Sequence, residues 1–210
     1  MSEIERLLDT LDECYPSAHC ELNYGTVWQL LVAVILSAQC TDKRVNQITP
    51  KLFEEAASPQ DIIAMPTERL EELIFSCGFY HNKAKNIKLA AEDVVNRFGG
   101  VVPGSIDELV TIHGVGRKTA NVVFAVGFNG QAMPVDTHVF RLAHRLGLSD
   151  GKTPEAVEKD LRAIIPEKYY TRAHHLLIFH GRYTCSSRSP KCEECRVKQY
   201  CVHPDYHSGS

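Results

Sequence analysis

Long apolar runs are missing from this chain of 210 residues. The longest of them, Leu30–Leu36, is far shorter than the roughly 18 residues that a membrane-spanning helix needs. A secretory signal peptide is missing too, because the first ten residues are acidic and amphipathic rather than basic and then apolar. We therefore expect a cytoplasmic protein, nucleoid-associated in a prokaryote and without a membrane partner, in which structural disulfides do not form.

A surplus of positive charge is missing as well. The chain has 23 lysines and arginines against 26 acidic residues, which gives a formal net charge of −3. Binding to nucleic acid would therefore depend on a local basic surface or on backbone amides. No long apolar stripe predicts a subunit interface, so we expect a monomer.

The alternation of apolar and polar residues that is typical of β-strands is scarce, whereas apolar residues recur at helical spacing along nearly the whole chain. Ser58, Pro59 and Asp61 form the pattern of a helix start, and Thr67 is predicted to cap another helix that ends near Gly78. Helices are predicted over 2–13, 27–35, from 58, from 67, 80–98, from 105, 116–127, 137–146, 154–163 and 171–181. The sequence thus predicts a compact all-α protein.

Eight cysteines fall into two groups. The first has the spacing C-x6-C-x2-C-x5-C and consists of Cys185, Cys192, Cys195 and Cys201. Thiolates bind soft metals, so this spacing predicts zinc or an iron–sulfur cluster, with structural disulfides as the alternative. The second group is scattered, and we expect small buried side chains at Cys14, Cys20, Cys40 and Cys77.

A tight turn between two helices is predicted in the middle of the chain. A helix that begins after Ser105 runs into Gly114 and Gly116, which allow a sharp reversal and close approach of another backbone. The N–H groups at the start of the next helix then form an anion site. The cations Arg117 and Lys118 favour a helix–hairpin–helix that binds a DNA phosphate over a plain turn between helices.

Lys118 and Asp136 are the candidates for chemistry. Lysine is a nucleophile in Schiff-base reactions, and a lysine that only contacts phosphate is the alternative. Asp136 is predicted to be the N-cap of the helix that follows it. The same carboxylate could face Lys118 and assist proton transfer or stabilise a cation.

Several segments, which follow one another along the chain in the right order, are similar to the endonuclease III family of DNA glycosylases. Three of them are GVGRKTANVV at 114–123, VDTHVFR at 135–141 and the four-cysteine tail. LSAQCTD at 36–42 and GFYHNKA at 78–84 resemble that family too. The resemblance covers the chain from about residue 20 to residue 201.

The resemblance implies a two-lobed all-α helix–hairpin–helix DNA glycosylase fold. A six-helix lobe, 22–133, would contain the hairpin, and 1–21 with 134–210 would form the lobe of a C-terminal iron–sulfur cluster loop. The implied partner is double-stranded DNA that contains oxidised pyrimidines or abasic sites. The family bends this DNA and flips the damaged base into the protein.

The resemblance also implies that Lys118 is the catalytic nucleophile and Asp136 the catalytic aspartate. Lys118 would attack the sugar C1′, expel the base and form a Schiff base. Proton loss at C2′ would then permit β-elimination, which breaks the strand 3′ to the lesion. Asp136 would help to activate the lysine or stabilise charge at the sugar.

Three further positions acquire roles through the resemblance. Gln39 matches the residue that fills the space left by the flipped base, with a polar helix-end residue as the alternative. Phe79 lies where the family often has an apolar wedge, commonly leucine, and an aromatic ring there can intercalate or anchor the loop. His138 would orient the Asp136 loop or line the pocket, unless it is an ordinary helix-surface residue.

The resemblance selects a [4Fe–4S] cluster over zinc for Cys185, Cys192, Cys195 and Cys201. Arginine and lysine outnumber glutamate between the first and the last of these cysteines. A loop held by the cluster could therefore meet DNA phosphate, and a solvated surface loop is the alternative.

Three other functions remain as alternatives. Adenine-mismatch glycosylases of the same superfamily resemble this chain in the hairpin, but they typically lack its lysine and carry a catalytic glutamate where this chain has Ala33 and Val34. A non-catalytic helix–hairpin–helix module that only binds DNA would not need Lys118 and Asp136 together. An iron–sulfur electron carrier would not need the hairpin.

Overall fold

The computed structural model describes residues 2–203, and all regular structure in that range is helical. This confirms the predicted all-α class. The chain divides into two compact units, one formed by the residues up to Cys20 and from Gln131 onward, the other by Glu21–Gly130. The predicted lobes, 22–133 and 1–21 with 134–210, stay a prediction.

The unit Glu21–Gly130 is built around a buried central helix. Its helices are α2 (Val27–Ser37), α3 (Asp42–Glu55), α4 (Pro59–Ala64), α5 (Thr67–Ile74), α6 (Tyr80–Phe98), α7 (Ile106–Leu109) and α8 (Arg117–Gly127). Every residue of α2 from Leu30 to Leu36 is buried, and α3, α6 and α8 pack against it. The longest apolar run of the sequence is therefore a helix that is covered on all sides.

Local signals decide most of the helix ends in this unit. Ser58 and Asp61 form the predicted capping box with Pro59 at the first position of α4. The prediction for Thr67 is wrong: Pro66 occupies the N-cap position, Thr67 is already helical, and α5 ends at Ile74 rather than near Gly78. The helix starts early because Pro66 already has the extended backbone of an N-cap, with φ −55° and ψ 142°.

Helix α3 was not predicted from the sequence. Thr41 caps it, and Pro50 lies inside it. An interior proline removes a backbone donor and normally weakens a helix. The buried residues Val45, Thr49 and Leu52 lie on one face of α3, and their packing holds the helix despite the proline.

The other unit packs four helices around its own core. They are α1 (Glu3–Cys14), α9 (Thr137–Arg145), α10 (Pro154–Ile164) and α11 (Tyr170–Tyr183), with short 3₁₀ turns at Glu167–Tyr169, Cys192–Glu194 and Lys198–Tyr200. Helix α11 contacts both α1 and α9, and α10 contacts α9. Gly181 allows α11 to approach α9 closely, since a Cβ there would lie 3.1 Å from His138 and Arg141.

Arg172 on α11 fixes the segment that follows α1. Its guanidinium donates to the Asp12 carboxylate and to the carbonyl oxygens of Tyr15, Pro16 and Ala18.

In residues 2–203 no helix has both the length and the apolar composition of a membrane span.

Candidate functional site

The turn between α7 and α8 contains a glycine that its geometry requires. Gly114 has a φ of +73°, a left-handed conformation that favours glycine. A Cβ at this position would lie 2.8 Å from the Cβ of Asn86 on α6. Helix α7 is shorter than predicted, a single turn of four residues. The segment between its end and Gly114 forms turns rather than helix.

The amino end of α8 is open. Gly116 is its N-cap, with a φ of −81° that any residue adopts and without a side-chain cap. A Cβ on Gly116 would meet no atom within 4 Å. The first intrahelical hydrogen bond runs from Ala120 N–H to Gly116 O at 2.9 Å, so the preceding N–H groups point out of the helix end, where the dipole favours an anion. Arg117 and Lys118, the first two helical residues, are both exposed.

Helix α6 holds the turn in place. Arg97 donates from Nη1 to Thr111 O at 2.9 Å and from Nη2 to Thr111 Oγ1 at 2.6 Å. The His113 backbone N–H donates to Asp93 Oδ2 at 2.9 Å, and the His113 ring Nδ1 lies 2.7 Å from the same oxygen. Burial alone would raise the pKa of the Asp93 carboxyl, but the bonds from His113 and Arg97 hold that pKa below its ordinary value.

Asp93 and Arg97 carry no sequence signal that predicts their role at the hairpin. Their spacing of four residues on a helix indicates a local surface ion pair, which forms with an N–O distance of 3.4 Å. Their second set of contacts, to residues 14 and 20 positions further along the chain, has no local signal.

Gln39 and Phe79 both have left-handed backbones. Their φ values are +52° and +58°, and among the described residues only Asn129 joins them as a non-glycine residue with positive φ. Such a conformation costs on the order of 1–3 kcal/mol, so neighbouring structure must hold it. Gln39 is exposed, and the Phe79 side chain is 63% exposed directly before α6.

The loops that contain Gln39 and Phe79 are neighbours. A Cβ on Gly78 would lie 4.0 Å from the Gln39 carbonyl oxygen. Lys83 on α6 is only 5% exposed, and its Nζ donates to Leu36 O at 2.9 Å near the end of α2. The structure therefore brings together two predicted DNA contacts that are far apart in sequence.

The scattered cysteines differ from the prediction. Only Cys77 is buried, whereas Cys14, Cys20 and Cys40 are half-buried. The sulfur atoms of Cys40 and Cys77 lie 3.4 Å apart. Three of these cysteines are thus less covered than expected.

Asp136 lies in the other unit and is the predicted N-cap of α9. Its Oδ1 accepts hydrogen bonds from His138 N–H at 2.9 Å and from Val139 N–H at 2.8 Å. Both bonds go to the same oxygen, so Oδ2 takes part in neither. The carboxylate is half-buried, and the three residues before it are buried.

His138 packs beside Arg141 and α11 rather than on an open helix surface. Its Nδ1 lies 3.2 Å from Arg141 Nη2, which also donates to Gly181 O at 2.9 Å and to Cys185 O at 3.1 Å. Burial lowers the pKa of the His138 ring, and the nearby Asp136 carboxylate opposes that shift. The α9 residues that follow Asp136 therefore connect its helix with the cysteine loop.

The four C-terminal cysteines line one cavity. Its other lining residues include Arg145, His180, Thr184, Lys191 and Lys198. Within residues 2–203, no three histidine, cysteine, aspartate or glutamate side chains are gathered closely enough to hold a metal ion. The cysteines thus surround the cavity instead of converging on a point.

Arg145 and His180 contact the sulfur atoms of this cavity. Arg145 Nη1 donates to Cys185 Sγ at 3.2 Å and to Ser186 O at 2.7 Å. His180 Nε2 lies 3.7 Å from Cys195 Sγ. Burial lowers the pKa of His180 to about 4, so its ring is neutral near pH 7. Neither residue was identified from the sequence.

Comparison with known proteins assigns the family. The sequence model described as HhH-GPD superfamily base excision DNA repair protein matches residues 32–167. The chain is 46% identical over 202 residues to endonuclease III of Bacillus subtilis (strain 168), covering 96% of this chain and 92% of that protein. It is 46% identical over 196 residues to endonuclease III of Synechocystis sp. (strain ATCC 27184 / PCC 6803 / Kazusa), covering 93% of this chain and 90% of that protein.

A solved structure supports the same assignment. The structure of a trapped endonuclease III–DNA covalent intermediate superposes with a TM-score of 0.94 at 44% identity and covers 98% of this chain and 97% of that chain. The resemblance inferred from the sequence is therefore confirmed. The chain belongs to the endonuclease III family of the HhH-GPD superfamily, the base-excision DNA glycosylases that also act as lyases on abasic sites.

Proposed function

We propose that this enzyme removes oxidised pyrimidines from double-stranded DNA and breaks the strand at the abasic site, with Lys118 as nucleophile and Asp136 as catalytic carboxylate. The observation that carries this proposal is the position of Lys118, exposed at the second residue of α8 beside the open Gly116. A DNA phosphate at the amino end of α8 would bring a sugar close to this amine.

The chemistry uses the nitrogen lone pair of Lys118 as the nucleophile. Lys118 Nζ attacks C1′ of the damaged nucleotide while the bond between C1′ and the base breaks, and the base leaves with the bonding electron pair and takes up a proton. The nitrogen lone pair then breaks the C1′–O4′ bond, O4′ takes up a proton, and the opened sugar is joined to Lys118 as a Schiff base. Loss of a proton from C2′ then expels the 3′ phosphate by β-elimination.

Asp136 has two roles in this scheme. Its Oδ1 holds the amino end of α9 through the two capping hydrogen bonds. We assign Oδ2 to the positive charge that develops at the sugar, since a fixed carboxylate stabilises such charge without reorganisation. His138 is a positioning residue, since its contact with Arg141 fixes the first turn of α9.

The DNA contacts are assigned to the Glu21–Gly130 unit. Gly114, Gly116 and Arg117 would bind the phosphate backbone through the hairpin. Gln39 would fill the space left by the flipped base, and Phe79 would insert between neighbouring bases. Their strained backbones support this assignment, because left-handed non-glycine residues concentrate at functional sites.

We propose that Cys185, Cys192, Cys195 and Cys201 hold a [4Fe–4S] cluster. Four thiols arranged around a cavity suit a multi-atom cluster better than a single zinc ion. When bound, the cluster supplies four iron–thiolate bonds that hold the loop in shape. The Arg145 bond to Cys185 would stabilise a thiolate ligand. Free thiols persist in a reducing cytoplasm, so we propose a cytoplasmic location, at the nucleoid in a prokaryote. We also propose that the protein is a monomer.

Strand cleavage on defined duplexes tests the function. Each duplex carries one thymine glycol, dihydrouracil, hydantoin, abasic site or mismatched adenine. The proposal predicts excision and nicking at the oxidised pyrimidines and nicking at the abasic site. Excision restricted to adenine without nicking would support the mismatch glycosylase instead, and a gel shift without any nick would support a module that only binds DNA.

The nucleophile has its own test. Borohydride reduces a Schiff base to a stable covalent link, so trapping on damaged DNA reports the lysine directly. Lys118→Gln should lose trapping by more than about 100-fold. Lys51→Gln, an exposed lysine on α3, is the matched control and should trap normally. Undiminished trapping by Lys118→Gln overturns the assignment.

A further inference from the structure

We infer that Cys40 and Cys77 are a redox modification site, which low-molecular-weight disulfides convert into a reversible disulfide bond that joins the Gln39 loop to the Phe79 loop. The thiols belong to neither the proposed cluster nor the proposed chemistry. They lie in the Glu21–Gly130 unit, Cys40 next to Gln39 in the sequence and Cys77 two residues before Phe79.

The two thiols occupy equivalent positions in their loops. Cys40 is the third residue after α2, and its N–H donates to Ser37 O at 3.0 Å. Cys77 is the third residue after α5, and its N–H donates to Ile74 O at 2.8 Å. Each cysteine thus closes a turn at the end of a helix, where the backbone can adjust more easily than inside the helix.

The sulfur atoms are nearly within bonding reach. Cys40 Sγ and Cys77 Sγ lie 3.4 Å apart, and a disulfide bond of about 2.0 Å needs them to approach by about 1.4 Å. A change of this size can be shared between two turns. Lys83, which is bonded to Leu36 O, keeps α6 and the end of α2 together while the turns adjust.

Exposure decides which thiol reacts first. Cys40 is half-buried, whereas Cys77 is fully buried. A small disulfide RSSR therefore reaches Cys40. The Cys40 thiolate attacks one sulfur of RSSR, forms a mixed disulfide and releases RS⁻.

Cys77 completes the exchange. Its thiolate attacks Cys40 Sγ and expels the second RS⁻, so the two electrons lost by the protein thiols reduce RSSR to two RSH. The two protons released by the cysteines balance the two RS⁻ groups. Dithiothreitol reverses both steps.

The second step is slow near neutral pH. Burial raises the pKa of Cys77 to about 12, with a further contribution from the adjacent Cys40, whereas Lys83 and Arg44 oppose the shift. Only a small fraction of Cys77 is thiolate at pH 7, so closure is slow and its rate rises with pH.

The consequence for DNA rests on the proposed function of the two loops. Gln39 is adjacent to Cys40, and Phe79 is two residues from Cys77. Formation of the disulfide bond between Cys40 and Cys77 shifts the backbones of both loops. The side chains of Gln39 and Phe79 then leave the positions in which they would contact DNA. We therefore expect the oxidised enzyme to bind damaged DNA about tenfold more weakly than the reduced enzyme, which is about 1.4 kcal/mol.

Mass spectrometry of the purified holoenzyme tests the bond. Cleavage after glutamate separates Cys40, in fragment 22–54, and Cys77, in fragment 73–92, from every other cysteine. After treatment with oxidised glutathione at pH 8, these fragments should be joined, and dithiothreitol should separate them. Cys40→Ala and Cys77→Val should lack the joined fragment, and a persistent glutathione adduct at Cys40 or unmodified fragments would overturn the inference.

Binding and cleavage of a duplex with one thymine glycol are measured on the same samples, and absorbance at about 400 nm checks that the cluster is intact. Oxidation should weaken binding by the native enzyme but not by Cys40→Ala. Joined fragments with unchanged binding would also overturn the inference. Failure of the reduced native enzyme to nick this duplex would count against the proposed function instead, so the two failures are distinguishable.

Discussion

Asp93 on α6 holds His113 in the hairpin through one carboxylate oxygen, which accepts from the His113 backbone at 2.9 Å and lies 2.7 Å from the ring Nδ1. His113 directly precedes Gly114, whose left-handed backbone makes the turn. The long helix α6 therefore holds the hairpin in position through this contact.

Replacing this carboxylate tests the support. Asp93→Asn keeps the size of the side chain but loses the charge, and it should lower the free energy of unfolding by about 1 kcal/mol. Affinity for undamaged duplex DNA should fall as well, because the hairpin is less well held. Urea denaturation and a gel shift measure the two effects, and Asp107→Asn, before the hairpin in α7, is a comparable charge change for control.

The same substitution predicts a pH dependence. The pKa of Asp93 is lowered in the folded protein by its bonds from His113 and Arg97. The carboxylate therefore stabilises the fold above the ordinary pKa of about 3.9, and that contribution is lost as pH falls through the lower folded value. The difference in unfolding free energy between native protein and Asp93→Asn should therefore be smaller at about pH 3 than at about pH 5. A difference that grows between about pH 5 and about pH 3 would contradict this account.

The two hairpin glycines should respond differently to alanine. Gly114→Ala places a Cβ on a residue with φ +73° and 2.8 Å from Asn86, and should cost about 2 kcal/mol of stability. Gly116→Ala adds a Cβ in open space at a φ of −81°, so its melting temperature should stay close to that of the native protein. DNA affinity should nevertheless fall in Gly116→Ala, because the methyl group occupies the surface that a phosphate would approach. Normal affinity in a stable Gly116→Ala would exclude phosphate binding at this end of α8.

Loss of the buried hydrogen bond from Lys83 should destabilise the protein near the Gln39 and Phe79 loops. Its Nζ donates to Leu36 O at 2.9 Å from a nearly buried position. Lys83→Met leaves that carbonyl oxygen without this donor and should lower stability by about 1–3 kcal/mol. Lys85→Met, an exposed position on the same helix, should change stability by less than about 0.5 kcal/mol. Chemical denaturation compares the two variants, and equal losses would show that the buried bond is unimportant.

Arg145 predicts an effect on the cofactor. Its guanidinium donates to Cys185 Sγ and to the Ser186 carbonyl oxygen. Arg145→Gln should lower the iron content and the absorbance at about 400 nm. Arg188→Gln changes the same charge at an exposed position of the loop and should keep both. Full iron content in Arg145→Gln would show that Arg145 does not stabilise the cluster.

Some predictions succeeded because they depended on short-range patterns. Ser58 caps α4 and Asp136 caps α9 because each side chain needs only the backbone N–H groups of the next turn. The prediction at Thr67 was wrong by one position because the extended backbone of Pro66 already serves as the N-cap. Helix α3 was missed, and its buried face is what holds Pro50 inside a helix.

The sequence alone determined the helical class, the glycine hairpin with Lys118, the four-cysteine spacing and, through these, the family. The first three are local patterns of residues close together in the sequence, and the family follows from several such patterns along the chain. Only the tertiary structure decided that Asp93 supports His113, that Lys83 binds Leu36 and that Cys40 meets Cys77. These contacts join residues that are 20 to 47 positions apart, and which pairs meet depends on how whole helices pack rather than on any local pattern.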